Sequence, residues 1–176
     1  MYTIISGTNR VGSNTLKVAQ QYQAILKGKG IDANLLSLEN VNVTNRNAVF
    51  EAMEKEILMP ADYFIFISPE YNGSFPGVLK MLFDNSKIQM AWWNKKALIT
   101  GVSSGRAGNV RGNDHLAAVL NYLKITVHHN LLPISSIDTL MDAKGNIIEP
   151  NTLNVINRQI DEFIAWTNEK APIETV

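Results

Sequence analysis

Short apolar runs alternate along the chain with segments whose apolar residues recur every three or four positions. Tyr63-Phe64-Ile65-Phe66-Ile67 is apolar throughout and rich in β-branched and aromatic residues, as a strand buried on both faces should be. After it Phe75, Val78, Leu79, Leu82 and Phe83 fall at i, i+3, i+4, i+7 and i+8, the stripe of a helix packed on a core. Tyr2-Thr3-Ile4-Ile5-Ser6 is likewise followed by Leu16, Ala19, Tyr22 and Leu26 at helical spacing, and Gly28 and Gly30 close that helix. A second strand is expected over Ala33 to Leu38. Val49, Met53 and Ile57 then suggest a short helix whose Glu51, Glu54, Lys55 and Glu56 face water. Ala97 to Val102 forms a further buried strand, and Leu116, Val119, Leu120 and Leu123 mark the helix after it. A fifth strand is expected near Thr126 to Leu132. The closing helix carries Leu153, Ile156, Ile160, Phe163 and Ile164 on one face, with Asn151 or Thr152 as its cap.

Strands alternating with helices, each strand buried rather than alternating, imply an α/β fold with a parallel sheet covered on both faces. Five strands fit the doubly wound order 2-1-3-4-5, built as a single domain over residues 1–176. In that order strands 1, 3 and 4 are neighbours and the winding reverses between 1 and 3. The loops at 7–15, 68–77 and 103–109 follow those three strands, so they converge on one crevice.

The first of these loops, Gly7-Thr8-Asn9-Arg10-Val11-Gly12-Ser13-Asn14-Thr15, holds short hydroxyls, amides and one arginine, with Ser13 or Asn14 placed to cap the helix. Such a set fits a phosphate; a capped helix with an incidental arginine explains the same residues. The loop is neither a Walker A sequence nor the Gly-x-Gly-x-x-Gly of dinucleotide folds. The central loop, Ser68-Pro69-Glu70-Tyr71-Asn72-Gly73-Ser74-Phe75-Pro76-Gly77, is stiffened by two prolines and given backbone freedom by two glycines. It reads as a ligand wall or as a rigid connection. The third, Ser103-Ser104-Gly105-Arg106-Ala107-Gly108-Asn109, is small and polar.

The chain has no cysteine, which excludes disulfides, thiolate metal ligands and thiol nucleophiles. Sixteen basic and sixteen acidic residues cancel, so nothing in the net charge draws in nucleic acid or an anionic membrane. No stretch has the roughly 20 apolar residues of a membrane span, and the chain enters an apolar run at Tyr2. A cytoplasmic location is expected; a glycan on the Asn72-Gly73-Ser74 sequon would fill the crevice. His115, in a helix, and His128-His129, in or beside the last strand, are expected away from the three loops, as structural or surface residues. Adjacent strand residues point to opposite faces and make a poor metal pair, and no metal site is expected. Trp92 and Trp93 fit either the core or an interface. Binding groups without an acid–base kit suggest a cofactor that brings its own reactivity.

Gly7-Thr8-Asn9-Arg10 with Ser13, followed by Ser68-Pro69-Glu70-Tyr71-Asn72-Gly73-Ser74 and Pro76-Gly77-Val78-Leu79-Lys80, resembles the NAD(P)H-dependent FMN reductase family of flavodoxin-like proteins. The resemblance runs from the first strand to the last helix. It implies FMN as cofactor, with NADPH or NADH as co-substrate. Thr8, Arg10, Ser13, Asn14 and Thr15 would hold the phosphate. Pro69, Glu70, Tyr71, Asn72 and Gly73 would lie along the isoalloxazine ring, and Ser103, Ser104, Gly105, Arg106 and Gly108 would meet its pyrimidine or ribityl side. The resemblance also implies a homodimer or homotetramer with the flavin near the subunit boundary, where Trp92 and Trp93 would find a use. The chain departs from the family's usual pattern at Met81-Leu82-Phe83-Asp84, where Asn-Ala-Ile-Asp is usual, and at Asn109, where glycine is common.

The implied activity is ping-pong transfer of hydride from the nicotinamide to FMN and on to a small-molecule acceptor such as a flavin, quinone, azo compound or chromate. The catalytic chemistry would belong to flavin N5 rather than to a side chain. Two other readings share the fold: a flavodoxin-type electron carrier, against which the zero net charge argues, and a flavin-free binding module.

Overall fold

The computed structural model describes residues 1–169; the last seven residues of the expected domain lie outside them. Its sheet is parallel, in the order β2 (Ala33–Ser37), β1 (Tyr2–Ser6), β3 (Tyr63–Pro69), β4 (Lys96–Val102), β5 (Thr126–Val127), and β6 (Leu132–Ile134) also pairs with β4. The doubly wound order is therefore the one the apolar runs imply. Along β3 the side chains alternate. Phe64 and Phe66 join Ile5, Ala97 and Ile99 on one face, under α2 (Ala48–Met53), α3 (Gly77–Asn85), α4 (Ile88–Ala91) and α5 (Val110–Tyr122). Ile65 and Ile67 join Ile4 and Leu98 on the other, under α1 (Asn14–Gly28) and α6 (Pro150–Asn168). Two cores on one sheet account for strands that are apolar throughout.

The expected fifth strand is divided in two. β5 pairs with the start of β4 and β6 with its end, and residues 128–131 leave the ladder between them. The cause lies in α6. Fully buried Gln159 donates its amide to Ile99 O at 3.1 Å and to Asn130 O at 2.8 Å, bridging the gap. Its Oε1 accepts from the hydroxyls of Tyr22 (2.7 Å) and Thr100 (3.0 Å). A buried amide needs such partners, and here they take the place of ladder bonds.

Other expectations are corrected locally. The second strand ends at Ser37, one residue early, whereas β3 runs on through Ser68 and Pro69. Helix α2 passes into a π-helical turn over Glu54–Leu58. The inward face runs through Phe50, Met53 and Glu54 at i, i+3 and i+4, so Val49 is exposed and Glu54 is buried instead of facing water, and the wider turn then carries Leu58 fully into the core. Arg46 meets Glu54 at 2.8 Å, and the Lys87 N–H donates to the same carboxylate. Trp92 belongs to the core, packed on Phe64 (5.0 Å between centroids) and Phe83 (5.1 Å), and so is not a boundary residue. Trp93 is half-buried under the Lys124 ammonium, 3.7 Å from the ring centroid. Helix α6 is capped by Glu149, whose carboxylate accepts from Asn151 N (3.0 Å) and Thr152 N (2.6 Å).

Candidate functional site

The three loops meet beyond the carboxyl ends of β1, β3 and β4, where the winding reverses. Gly7 starts the first loop, and its N–H donates to Ile67 O at 2.8 Å. A Cβ there would stand 3.0 Å from Leu79 Cδ2 and 3.2 Å from Ile67 O, so a larger residue would crowd both neighbours. Ser13 then caps α1, its Oγ accepting from Leu16 N at 3.1 Å. The remaining first-turn amides of a helix have no intrahelical acceptor and face outward, which suits an anion.

The central loop closes on itself. Tyr71 and Ser74 exchange backbone bonds of 2.8 and 3.1 Å, while Asn72 (φ 53°) and Gly73 (φ 76°) both sit in the left-handed region. Two positive φ values in a two-residue connection make a type I′ turn, for which Asn-Gly is the favoured sequence. Asn72 and Gly73, at the tip of that turn, both line the cleft.

Each pair of loops is joined. First to central, Thr8 Oγ1 and Tyr71 OH lie 2.6 Å apart, and the Arg10 guanidinium rests 4.9 Å from the Tyr71 ring centroid. Central to third, the side-chain amide of Asn109 donates to Ser68 O (3.0 Å) and Pro69 O (3.1 Å), and its backbone N–H donates to Glu70 Oε2 (3.2 Å). First to third, Asp138 accepts from Asn14 Nδ2 at 2.6 Å, and its segment is tied to the third loop by the Ile137 N–H on Ser103 O at 3.1 Å. The neighbouring Ser104 hydroxyl, then Asn14, hold the Asp138 carboxyl below its ordinary range. Within the third loop, Ser103 Oγ donates to Gly105 O (2.8 Å) and accepts from Gly108 N (2.9 Å).

Between the loops lies an open cleft in two connected lobes of about 260 and 580 Å³. Ser13, Asn14 and Thr15 line the first, Asn72, Gly73, Gly105 and Arg106 the second, and Arg10, Glu70, Tyr71, Ser103 and Ser104 line both. Pro69 lies at the first lobe, joined there by Val11, Gly12, Val102 and Ile137. Two expected residues stand behind the wall. Thr8 is buried beneath Tyr71, and Gly108 is fixed against Pro133, whose Cβ would lie 2.7 Å from an added side chain. The Asn14 side chain is already engaged by Asp138 and Lys17, which leaves its backbone amide for a ligand.

Asp138 and Asn109 are the residues that sequence reasoning missed as tethers. Asn109 carries a signal: asparagine tolerates the left-handed conformation, and φ is 64° here at the start of α5. Asp138 carries none. His115 is corrected: its Nδ1 lies 2.9 Å from Ser74 Oγ, so it touches the central loop. His128 and His129 lie beside the last strand, in the gap between β5 and β6, and because they are not on a strand their rings do not take opposite faces but lie 4.4 Å apart. With Glu162 they bring ligand-type atoms within 4.8 Å of one another, but Asn130 donates to His128 Nδ1 (3.3 Å) and to Glu162 (2.6 Å). Burial, then the neighbouring His129, push the His128 pKa below its ordinary value.

The donor set fits FMN. Hydroxyls, helix amides and one guanidinium gather at the narrow lobe, as a phosphate requires, and backbone of two stiff loops flanks the wide lobe, as a flat heterocycle requires. Neither Gly12 nor Gly105 has an atom within 4 Å of its Cβ direction, so both walls face open space.

Residues 2–138 match the family model described as NADPH-dependent FMN reductase. The chain is 32% identical over 120 residues to a 2-hydroxy-1,4-benzoquinone reductase from Burkholderia sp, covering 66% of each protein. It is 28% identical over 171 residues, 92% of each, to an NAD(P)H-dependent FMN reductase from Pseudomonas aeruginosa. Among solved structures, a flavoenzyme NAD(P)H:(acceptor) oxidoreductase from Paracoccus denitrificans superposes with a TM-score of 0.81 at 21% identity, covering 94% of this chain and 95% of that one.

Proposed function

The chain belongs to the NADPH-dependent FMN reductase family, and from that premise we propose that it oxidises a nicotinamide dinucleotide in this cleft and delivers the electrons to a quinone. The observation that carries this reading is the convergence of three mutually tethered loops on one open cleft, with an anion-binding end at α1 and an Asn-Gly turn at the other. The quinone is favoured among acceptors because a relative that shares 32% identity is named for a benzoquinone. When bound, FMN supplies the two-electron chemistry that no side chain of the cleft offers.

The chain's own residues bind and orient. Arg10, Ser13, Thr15 and the first-turn amides of α1 hold the phosphate, and Arg10 also neutralises part of its charge. The amides of Asn72 and Gly73 would supply donors to the bound flavin, whose reduction calls for preorganised hydrogen-bond donors. Glu70, held by the Asn109 N–H, keeps the backbone of both loops in place rather than moving a proton. The wide lobe is open to solvent, so nicotinamide and quinone occupy one face in turn, which gives ping-pong kinetics. The chain acts as a homodimer, with half-buried Trp93 and exposed Met90 on the surface that meets its partner.

The test is the visible spectrum of FMN-loaded protein under anaerobic conditions. Bleaching of the flavin bands by NADPH, and their return on adding p-benzoquinone, is the expected result. Bands that NADPH leaves unbleached would favour an electron carrier, and no uptake of FMN would favour a flavin-free module.

A further inference from the structure

The cleft does not end at the third loop. Past Glu70 and Ala107 it opens into a further lobe of about 420 Å³, walled by Val110, Arg111 and Asp114 from the first turns of α5. These three residues do little for the fold. Val110 is 50% exposed, and Arg111 and Asp114 are exposed and form no ion pair within 4.0 Å among the described residues. Arg111 nonetheless has a defined place. Its Nη1 lies against the Asn-Gly turn, 3.2 Å from where a Cβ on Gly73 would stand. A free guanidinium is thus laid against the turn that also lines the flavin cleft.

We infer that this lobe receives the diphosphate bridge of the nicotinamide dinucleotide, with Arg111 as its anion contact. The inference rests on the reading above, which puts the nicotinamide ring beside Asn72 and Gly73. The narrow lobe at α1 is committed to the flavin phosphate, so the rest of the dinucleotide must leave the other way, over Ala107. Arg111 is the one cation among the residues lining the lobe it then enters. A planar guanidinium binds a phosphate through two parallel hydrogen bonds, which an ammonium cannot copy. Of the two carboxylates there, Glu70 already accepts the Asn109 N–H. Asp114, one turn beyond Arg111, is free and opposes a dianion, so it sets the affinity below what Arg111 alone would give.

The experiment separates binding from chemistry. Calorimetric titration of FMN-loaded protein with NADP+ should show binding weakened about tenfold or more in Arg111→Ala, partly restored in Arg111→Lys, and tightened a few fold in Asp114→Asn, with FMN affinity unchanged. In turnover, Arg111→Ala should lower kcat/KM for NADPH but leave the rate with N-benzyl-1,4-dihydronicotinamide unchanged, because that donor has the ring and no phosphate. Unchanged NADP+ affinity in Arg111→Ala, or an equal loss with both donors, would overturn the subsite. A wild-type protein that never oxidises NADPH would overturn the functional reading instead.

Discussion

The phenol of Tyr71 and the hydroxyl of Thr8 lie 2.6 Å apart, sixty-three residues distant in sequence, and join the loop after β1 to the loop after β3. Thr8 is almost wholly buried, so without the phenol its hydroxyl keeps only the Arg10 N–H, at 3.2 Å, and has no water to make up the loss. Tyr71→Phe, Thr8→Val and the double variant should form a cycle with a coupling energy of about 0.5–1.5 kcal/mol, read by urea denaturation. FMN should bind a few fold more weakly to either single variant, because the Tyr71 ring loses its fixed orientation at the cleft.

Ser13 both caps α1 and lines the narrow lobe of the cleft. Ser13→Ala removes the acceptor for Leu16 N and should cost about 1 kcal/mol of stability. If Ser13 meets the flavin phosphate as proposed, the same change should weaken FMN more than riboflavin, which lacks that phosphate. Fluorescence quenching titrations of the two flavins make the comparison.

Asn109 combines a left-handed backbone with side-chain bonds to the carbonyls of Ser68 and Pro69. Asn109→Ala loses the bonds and strains the backbone, a cost of about 2–4 kcal/mol. Asn109→Gly loses the same bonds without the strain and should recover about 1 kcal/mol of it. The order wild type, Gly, Ala in thermal midpoint is the expected result.

Glu54 links stability to acid. Burial alone would raise its pKa, but the hydrogen bonds from Arg46 and the Lys87 N–H outweigh that, and it is held below its ordinary value of 4.5. A carboxyl depressed by folding stabilises fully above its unfolded value, and that contribution is lost as pH falls through the folded one. Unfolding free energy followed from about pH 7 down to about pH 3 should therefore fall less steeply in Glu54→Gln than in wild type.

The doubly wound sheet and the meeting of its three loops were legible because short apolar runs rich in β-branched and aromatic residues, such as Phe64 to Ile67, read as strands with two covered faces. Whatever depended on a distant side chain was hidden. The division of the fifth strand follows from Gln159, some thirty residues downstream of the gap, reaching the carbonyls of Ile99 and Asn130. The inward turn of Glu54 follows from a helical face set by Phe50 rather than Val49, with Arg46 brought in from outside the helix to meet the carboxylate. At the site, residue identity gave the wall of the cleft but not the braces behind it. Asp138 reads as an ordinary acidic residue until the fold brings Asn14 and Ser104 to it. His115 meets Ser74 only because α5 lies over the central loop.

The gap at residues 128–131 also bears on self-association. An edge strand invites a neighbour when it offers an unbroken row of unpaired peptide groups, and two- and three-residue segments parted by a bend offer no such row. On that side the sheet is a poor template for growth by strand addition. Ordered assembly there must go through side chains on helices, and crowding of folded chains should not convert this edge into a seed for fibres.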